Sequence, residues 1–500
     1  LIVGGGVGGC AAALAATSLG CRVILTEPTD WVGGQLTNQL VPPDEHPWIE
    51  SFGCTRRYRA YREAVRQYYR DHMPLTAAAR ANPRLNPGNG WVSRLCHEPR
   101  IGWQVLLPML QPAVSRGDLE ILLRTEAVGA DVTGDQIDAV RFLHEGEEFW
   151  VKPRFVLEAT ETGSLLPLVG AEYRLGAESQ AQSGEPHALP GDPEPDNVQG
   201  LTWCAVVSHD PGSHRTIDRP AQFDFWRNHI PTNWCGPLLS LTIADPVRGG
   251  TRELPILGDF GLFTYRQILD PTQFDGPFFP TTVLNWPQND YFDGTVLDVE
   301  ADLTAERLEA ARQLTLSLVY WLQTEAGLPG IFLRPDMTGT PDGLAMAPYI
   351  REARRLEAQF MVTENHVSAE ANPGGDRATA LPNSVGVGSY RLDLHPAANG
   401  APTLDLATVP FEIPLGSLLP VRMKNLLAAG KSLGVTHIAN GCFRLHPIEW
   451  NVGEAAGLAA AYACRQGILP DELQGKHWPS FDSLLSSQGI ETSWPQLRPI

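Results

Sequence analysis

Residues 1–27 restrict the fold more than any other stretch of the chain. Leu1-Ile2-Val3 is a short apolar run of the kind buried in a strand, and Gly4-Gly5-Gly6-Val7-Gly8-Gly9 follows at once. The spacing Gly4-x-Gly6-x-x-Gly9 turns a strand tightly into a helix, lets backbone approach a pyrophosphate, and packs the helix close to its sheet. The helix predicted from Gly8 to Leu19 is nearly all Ala, Leu and Cys, small enough for that approach, and Gly20 is placed to end it. A second strand, Arg22-Val23-Ile24-Leu25, delivers Glu27 eighteen residues after Gly9. An acid there accepts hydrogen bonds from ribose hydroxyls while the helix N-terminus holds phosphates. A lone glycine motif is a weak signal, but here strand, helix, second strand and acid stand in order. The expectation is a Rossmann half-fold that binds a dinucleotide through Gly4, Gly6, Val7, Gly8, Gly9 and Glu27.

Such a unit cannot be the whole protein, because 500 residues suit two or three domains. The eight cysteines are scattered without a CxxC pair, which excludes a zinc ribbon or thioredoxin-type site and reads as reduced, cytoplasmic thiols. A net charge of −19 argues against a general nucleic-acid binder. No apolar run is long enough to span a membrane. The chain opens inside a strand and without Met, so a preceding segment is expected, and any export signal would lie on it.

Further motifs specify the dinucleotide. Trp31-Val32-Gly33-Gly34-Gln35-Leu36 sets a glycine pair just past the ribose acid, where backbone can pass close to a long, bent cofactor. Phe155 to Glu158 reads as a buried strand running into the turn Ala159-Thr160-Glu161-Thr162-Gly163, after strands predicted at 117–123 and 139–142. Far downstream, Asn425 to Ala429 is an apolar strand ending at Gly430-Lys431, and Asn451-Val452-Gly453 opens a small-residue helix with Asn451 as the expected N-cap.

These motifs resemble FAD-dependent oxidoreductases of the glutathione-reductase type. Together with Ser93 to Pro99, Arg351 to Arg355 and Gly430 to Gly434, their spread is similar to a broad family of FAD-dependent oxidoreductases, some of whose members carry a polysaccharide-lyase label. Nothing in the sequence supports the lyase label, since no separate carbohydrate-active module is evident. The resemblance implies FAD as cofactor, with contacts at Gly33, Gly34, Gln35, Val128, Ala159, Thr160, Gly163, Gly430, Asn451, Val452 and Gly453 besides the first motif. It also implies a last helix whose N-terminus faces the flavin and stabilises negative charge on its reduced form. No second GxGxxG occurs, so no NAD(P)H domain is expected and electrons would come from substrate or free reductant.

The fold class expected is α/β, a discontinuous Rossmann-type FAD-binding domain with an inserted α+β substrate domain. The FAD domain would take residues 1–45, 95–170 and 415–470, with an Arg/Tyr-rich helical insertion at 46–94, a substrate domain at 171–414 and a tail of surface helix and coil at 471–500. Leu303 to Ala326 has the spacing of a long amphipathic helix, and 201–207 and 278–284 suit strands.

Thr55 to Arg70 carries six arginines, of which Arg59, Arg62, Arg66 and Arg70 share one helical face. The ordinary reading is a face paired with acids. The functional one is anion recruitment, for which Arg56 and Arg57 at the helix start are the substrate-binding candidates. Catalytic candidates are His437, His446, Arg444, Arg351 and His97, with His437 to His446 read as a loop passing near the flavin. Flavin dehydrogenation needs a base for the proton that accompanies the hydride, for which histidine suits, and arginine would position a carboxylate or polarise a carbonyl. Cys54 and Cys96 could attach flavin covalently, although buried inert thiols are commoner. No metal site is expected. The function expected is an FAD-dependent dehydrogenase or oxidase moving a hydride from a small polar, perhaps anionic, molecule to flavin N5. A non-redox flavoprotein and a thiazole-synthase-like dinucleotide enzyme are the alternatives.

Overall fold

The computed structural model describes residues 1–245 and 250–495. Positions 246–249 of the expected substrate region and 496–500 of the expected tail lie outside the described residues. The predicted opening unit forms as strand β1 (Ile2–Val3), helix α1 (Val7–Ser18) and strand β2 (Val23–Glu27). The chain then runs through helix α2 (Arg56–His72) and the helix Pro99–Arg116 to strand β3 (Leu119–Leu123). An antiparallel three-stranded sheet of β4 (Thr125–Thr133), β5 (Gln136–His144) and β6 (Glu147–Val151) follows, and then β7 (Val156–Glu158).

Five strands make the central sheet, in the order Leu426–Ala428, β7, β1, β2, β3, and every pairing is parallel. β1 stands at its middle, so the glycine turn leaves from the C-terminal edge of the innermost strand. Ligands of open parallel sheets bind at that edge. Behind the turn, α1 packs on the long helix His446–Gln466 with almost no side chain between them. A Cβ added to Gly453 would lie 2.0 Å from Gly8 O, and one added to Gly457 would lie 2.4 Å from Ala12 O. The Ala-rich sequences of both helices are thus requirements of a close crossing, and each is buried along most of its length.

A second, antiparallel sheet has the order Gln267–Leu269, Thr281–Leu284, Ala205–His209, Ile331–Leu333. The amphipathic helix Ala301–Thr324 buries Leu314, Leu318 and Leu322 beside it, beginning two residues before its predicted start. The strand expected at 201–207 is broken at Trp203-Cys204, where Trp203 O accepts the Thr315 hydroxyl of that helix instead of a ladder N–H. The strand expected from Phe278 starts only at Thr281, after Pro280, which has no N–H to donate.

Two local expectations are corrected. The segment His437 to His446 is not a loop: His437–Phe443 is a helix, capped by the Thr436 hydroxyl accepting Ala439 N–H at 3.2 Å. Nor is Asn451 an N-cap. The long helix begins at His446 behind Leu445, with Pro447 in its first turn, where the fixed φ of proline favours a helix start. Asn451 lies inside this helix and donates its amide to Val385 O at 2.9 Å. Among the described residues no helix is long and apolar enough to cross a membrane.

Candidate active site

The two glycine motifs meet at the edge of the sheet. Gly33 N–H donates to Gly5 O at 2.7 Å, which lays the second turn on the first. Gly4 has φ 102°, and a Cβ there would lie 2.3 Å from Ala159 O, so this position admits only glycine for two independent reasons. A Cβ on Gly8 would meet Ala429 O at 1.9 Å and one on Gly9 would meet Gly4 O at 2.0 Å. Gly8, Gly9 and Gly453 therefore set the spacing between α1, the turns and the long helix.

Gly6 and Gly34 share one neighbour. A Cβ on either would lie 2.5 Å from Oε1 of Glu161, an oxygen that is buried without a hydrogen-bond partner. The gap between the turns thus already receives an anionic oxygen, at the start of a helix with neither a side-chain cap nor an acid in its first turn. The other oxygen of Glu161 pairs with Lys431, whose buried ammonium also donates to Ile350 O at 2.9 Å. Gln35 donates to Arg444 O at 3.0 Å and to Glu449, whose carboxylate burial pushes up to about 7.

Glu27 accepts from Gly5 N–H at 3.1 Å, Thr29 N–H at 3.0 Å and the Thr29 hydroxyl at 2.7 Å. Burial still outweighs these donors and pushes it up to about 7. Glu158 closes the neighbouring turn, accepting Thr160 N–H at 2.6 Å and Leu165 N–H at 2.9 Å. At Gly163, φ is 67° and an added Cβ would lie 2.7 Å from Arg354 O. These elements enclose a cleft of about 340 Å³ lined by Gly4, Gly6, Glu27, Ala159, Thr160 and Ile350, among others. Thr125, Glu126 and Ala127 of β4 line it too, and half-buried Val128 stands just beyond them. Gly430 stands nearby, and a Cβ there would have no neighbour closer than 3.6 Å. Val7 and Val452 are buried on their helices. The residues fit an FAD: an acid for the ribose, an open helix start for the pyrophosphate, and a gap that takes an anionic oxygen.

Residues Pro348 to Arg351 line both this cleft and a second cavity beside it. Pro348 and Ile350 face the cleft while Tyr349 and Arg351 line the cavity, the alternation of extended backbone. Tyr349 and Thr202 exchange backbone hydrogen bonds of 2.8 and 3.1 Å, which hold this segment in place. The cavity has a volume of about 470 Å³. Its polar part holds Arg266, Arg351, Arg444, Asp44, Asp393 and His395, and its apolar part includes Leu254, Leu262, Trp286 and the more exposed Phe260 and Trp91.

Each arginine is held differently. Arg351 donates to Gly200 O at 2.8 Å, Asp290 at 2.9 Å and Asn285 at 3.1 Å. Arg444 donates to the Tyr349 hydroxyl at 2.8 Å and to the carboxylate and carbonyl of Asp393 at 3.1 Å. Arg266 comes no closer to a carboxylate than 3.6 Å, at Asp44.

His395 Nδ1 lies 2.7 Å from Asp290 Oδ2. Burial works against ionising Asp290, yet Arg351 and His395 hold it well below the usual carboxylate range, so it accepts and Nδ1 carries the proton. The lone pair is then on Nε2, 3.7 Å from Asp393. Burial first, and Arg351 second, lower the His395 pKa from 6.5, so the imidazole is neutral near pH 7. A neutral imidazole oriented by a carboxylate, beside positioning arginines, is an arrangement for general base catalysis.

The other candidates fall elsewhere. His446 Nδ1 accepts Asp44 N–H at 3.0 Å, which puts its proton on a buried, unpartnered Nε2. Burial and Arg266 press its pKa well below the ordinary value, so it is a neutral donor next to the cavity wall. His437 lines neither space: it bonds Glu352 at 2.9 Å, and Glu352 in turn pairs with Arg355 at 2.8 Å. His97 is packed between α2 and the helix Pro99–Arg116, 3.3 Å from the Tyr61 hydroxyl, with burial lowering its pKa to about 4. Arg56 donates to Ser487 O, and Arg57 to Glu454, Ser18 and Gln488, so both tie α2 to other helices rather than to the cavity. Along the rest of α2, Arg62 and Arg66 are buried against Glu45 and Glu50. Cys54 and Cys96 are free thiols that burial pushes up to about 12, and neither lines the cleft. Sequence reasoning missed His395, Asp290, Asp44 and Arg266, none of which belongs to a local motif.

The family described as FAD dependent oxidoreductase matches residues 1–481. No curated protein is matched by the chain. Among solved structures, a geranylgeranyl bacteriochlorophyll reductase-like protein from Thermoplasma acidophilum is 10% identical, over 98% of this chain and 83% of its own, with a TM-score of 0.33. A p-nitrophenol 4-monooxygenase from Pseudomonas putida is 13% identical over 70% and 65%, with a TM-score of 0.27. A myxobacterial chondrochloren halogenase is 15% identical over 43% of this chain, which spans only 44% of the halogenase's length, with a TM-score of 0.25. With the family match extending over nearly all of its length, this chain belongs to the FAD dependent oxidoreductases.

Proposed function

We propose that this FAD-dependent oxidoreductase dehydrogenates a small polar molecule held in the arginine-lined cavity. The observation that carries this reading is His395, whose Nδ1 is 2.7 Å from the ionised Asp290 and whose Nε2, 3.7 Å from Asp393, is beyond hydrogen-bond distance and can accept a proton. When bound, FAD supplies the two-electron acceptor for the hydride. In the cleft, Glu27 would take the ribose hydroxyls, and the backbone at Gly6 to Gly9 would take the pyrophosphate, with Lys431 as the nearby cation. In the cavity, Arg351 and Arg444 hold the substrate's polar group, and His395 Nε2 removes the proton of the O–H or N–H being oxidised. Asp290 fixes the His395 tautomer and offsets the positive charge the ring then acquires. The same reading assigns the parallel-sheet segments to the cofactor and 171–414 to most of the substrate side.

Anaerobic mixing of the yellow holoprotein with a panel of alcohols, amines and hydroxy acids tests it. Bleaching of the flavin band, with stoichiometric oxidised product, is the expected result. Flavin that stays oxidised while a panel member is isomerised or loses a group would overturn dehydrogenation.

A further inference from the structure

Arg266 stands apart from the other cavity arginines. It is 9% exposed, it lines the cavity, and both Nε and Nη1 are buried without a hydrogen-bond partner. A guanidinium is always charged and presents its donors in a planar fork that matches a carboxylate. Leaving such donors unmade in a buried place is costly, so two on one side chain call for a better acceptor than the protein itself provides. Asp44 meets Arg266 only as a loose ion pair: its Oδ2 is 3.6 Å from Nη1, beyond hydrogen-bond distance, Nε has no partner at all, and Asp44 Oδ1 is also unpartnered.

The rest of the cavity defines the ligand that would reach Arg266. Nε of Arg351 and Nε of Arg444 are unpartnered as well, so three buried guanidiniums each keep a donor unused. The hydroxyl-bearing rings of Tyr265 and Tyr390 and the indole of Trp286 line the same space, beside Leu254 and Leu262. We infer that the cavity binds an organic carboxylate with an apolar or aromatic body, its carboxylate received by Arg266. The inference names the substrate class of the site proposed above and rests on that reading only for turnover. Binding itself requires neither His395 nor hydride transfer.

The test uses oxidised holoenzyme and phenylacetate as probe, with phenylacetamide and phenethylamine as its neutral and cationic counterparts, read by the flavin absorption difference and by calorimetry. Phenylacetate is expected to bind, and its amide and amine counterparts to bind at least tenfold more weakly. Arg266→Gln is expected to lose at least tenfold in phenylacetate affinity while keeping its flavin content, and Arg266→Lys to recover part of that loss. Asp44→Asn, which removes the negative charge 3.6 Å from Arg266, is expected to tighten phenylacetate binding severalfold and serves if the Arg266 variants do not fold. Equal binding of phenylacetate and phenylacetamide, preference for phenethylamine, or wild-type affinity in Arg266→Gln would each overturn the inference, as would Asp44→Asn leaving affinity unchanged. Phenylacetate binding without flavin bleaching by any carboxylate supports the inference and counts against the dehydrogenation reading alone.

Discussion

His395 and Asp290 lie 105 positions apart, and neither carries a sequence signal of its own. Their pairing makes the sharpest residue-scale prediction. His395→Asn should lower kcat/KM by about 10²–10⁴-fold, the usual contribution of a positioned base, with flavin content unchanged. Asp290→Asn should also lower kcat, because an amide can hold the ring in the wrong tautomer. Burial and Arg351 both disfavour the imidazolium, so activity should fall on the acid side with an apparent pKa below 6.5. Arg351→Gln should move that limb upward, as a pH–rate profile would show. Arg351 was visible to sequence reasoning because it stands in a segment that resembles the family, and Arg444 because it lies in the stretch expected beside the flavin. His97 stands in such a segment too and His437 in that same stretch, while Arg56 and Arg57 were chosen by their place at a helix start, yet the fold spends all four on helix packing and ion pairs. Residue type alone does not distinguish a catalytic histidine from a packed one, since burial is a property of the folded neighbourhood.

At the scale of elements, the βαβ opening was legible to within a residue or two because all its determinants are contiguous: apolar strand, glycines, small helix, acid. The start of the last long helix was missed because Pro447 outranks Asn451 as a start signal there. The crossing of this helix with α1 predicts that Gly453→Val purifies with little or no flavin. Its Cβ would lie 2.0 Å from Gly8 O and must push α1, with the glycine turn, off the sheet. Flavin stoichiometry and a melting curve would measure both effects. Helix α2 makes a different prediction. Glu50 accepts from Arg62 at 2.7 and 3.1 Å and from Arg66, and both arginines are buried. Glu50→Gln should cost about 3 kcal/mol in denaturant unfolding, since it leaves two guanidiniums underpaired. Burial opposes ionisation of Glu50, but the arginines pull its pKa from 4.5 down to about 2. Its stabilising effect is therefore complete above pH 4.5 and is lost as pH falls toward 2. The gap between variant and wild type should close over that interval.

On the scale of the whole molecule, the cleft draws on residues from Val3 to Arg354 and the cavity on residues from Asp44 to Arg444, so cofactor and native fold are thermodynamically linked. FAD at one hundred times its dissociation constant should add about 2.7 kcal/mol, raising the melting temperature in proportion to the logarithm of free FAD. The cofactor region announced itself through motifs near both ends of the chain, whereas the cavity, assembled across some 400 positions without a repeated pattern, did not. Both spaces are lined by Pro348 to Arg351, a length of backbone only four residues long. Its even-numbered side chains belong to one chemistry and its odd-numbered ones to another. Substitutions at Pro348 and Ile350 act on the cleft and those at Arg351 on the cavity, while the Tyr349 ring, 5.7 Å under the Lys431 ammonium, bears on both. An insertion or deletion of one residue would exchange the faces that these side chains present, whereas a replacement keeps them.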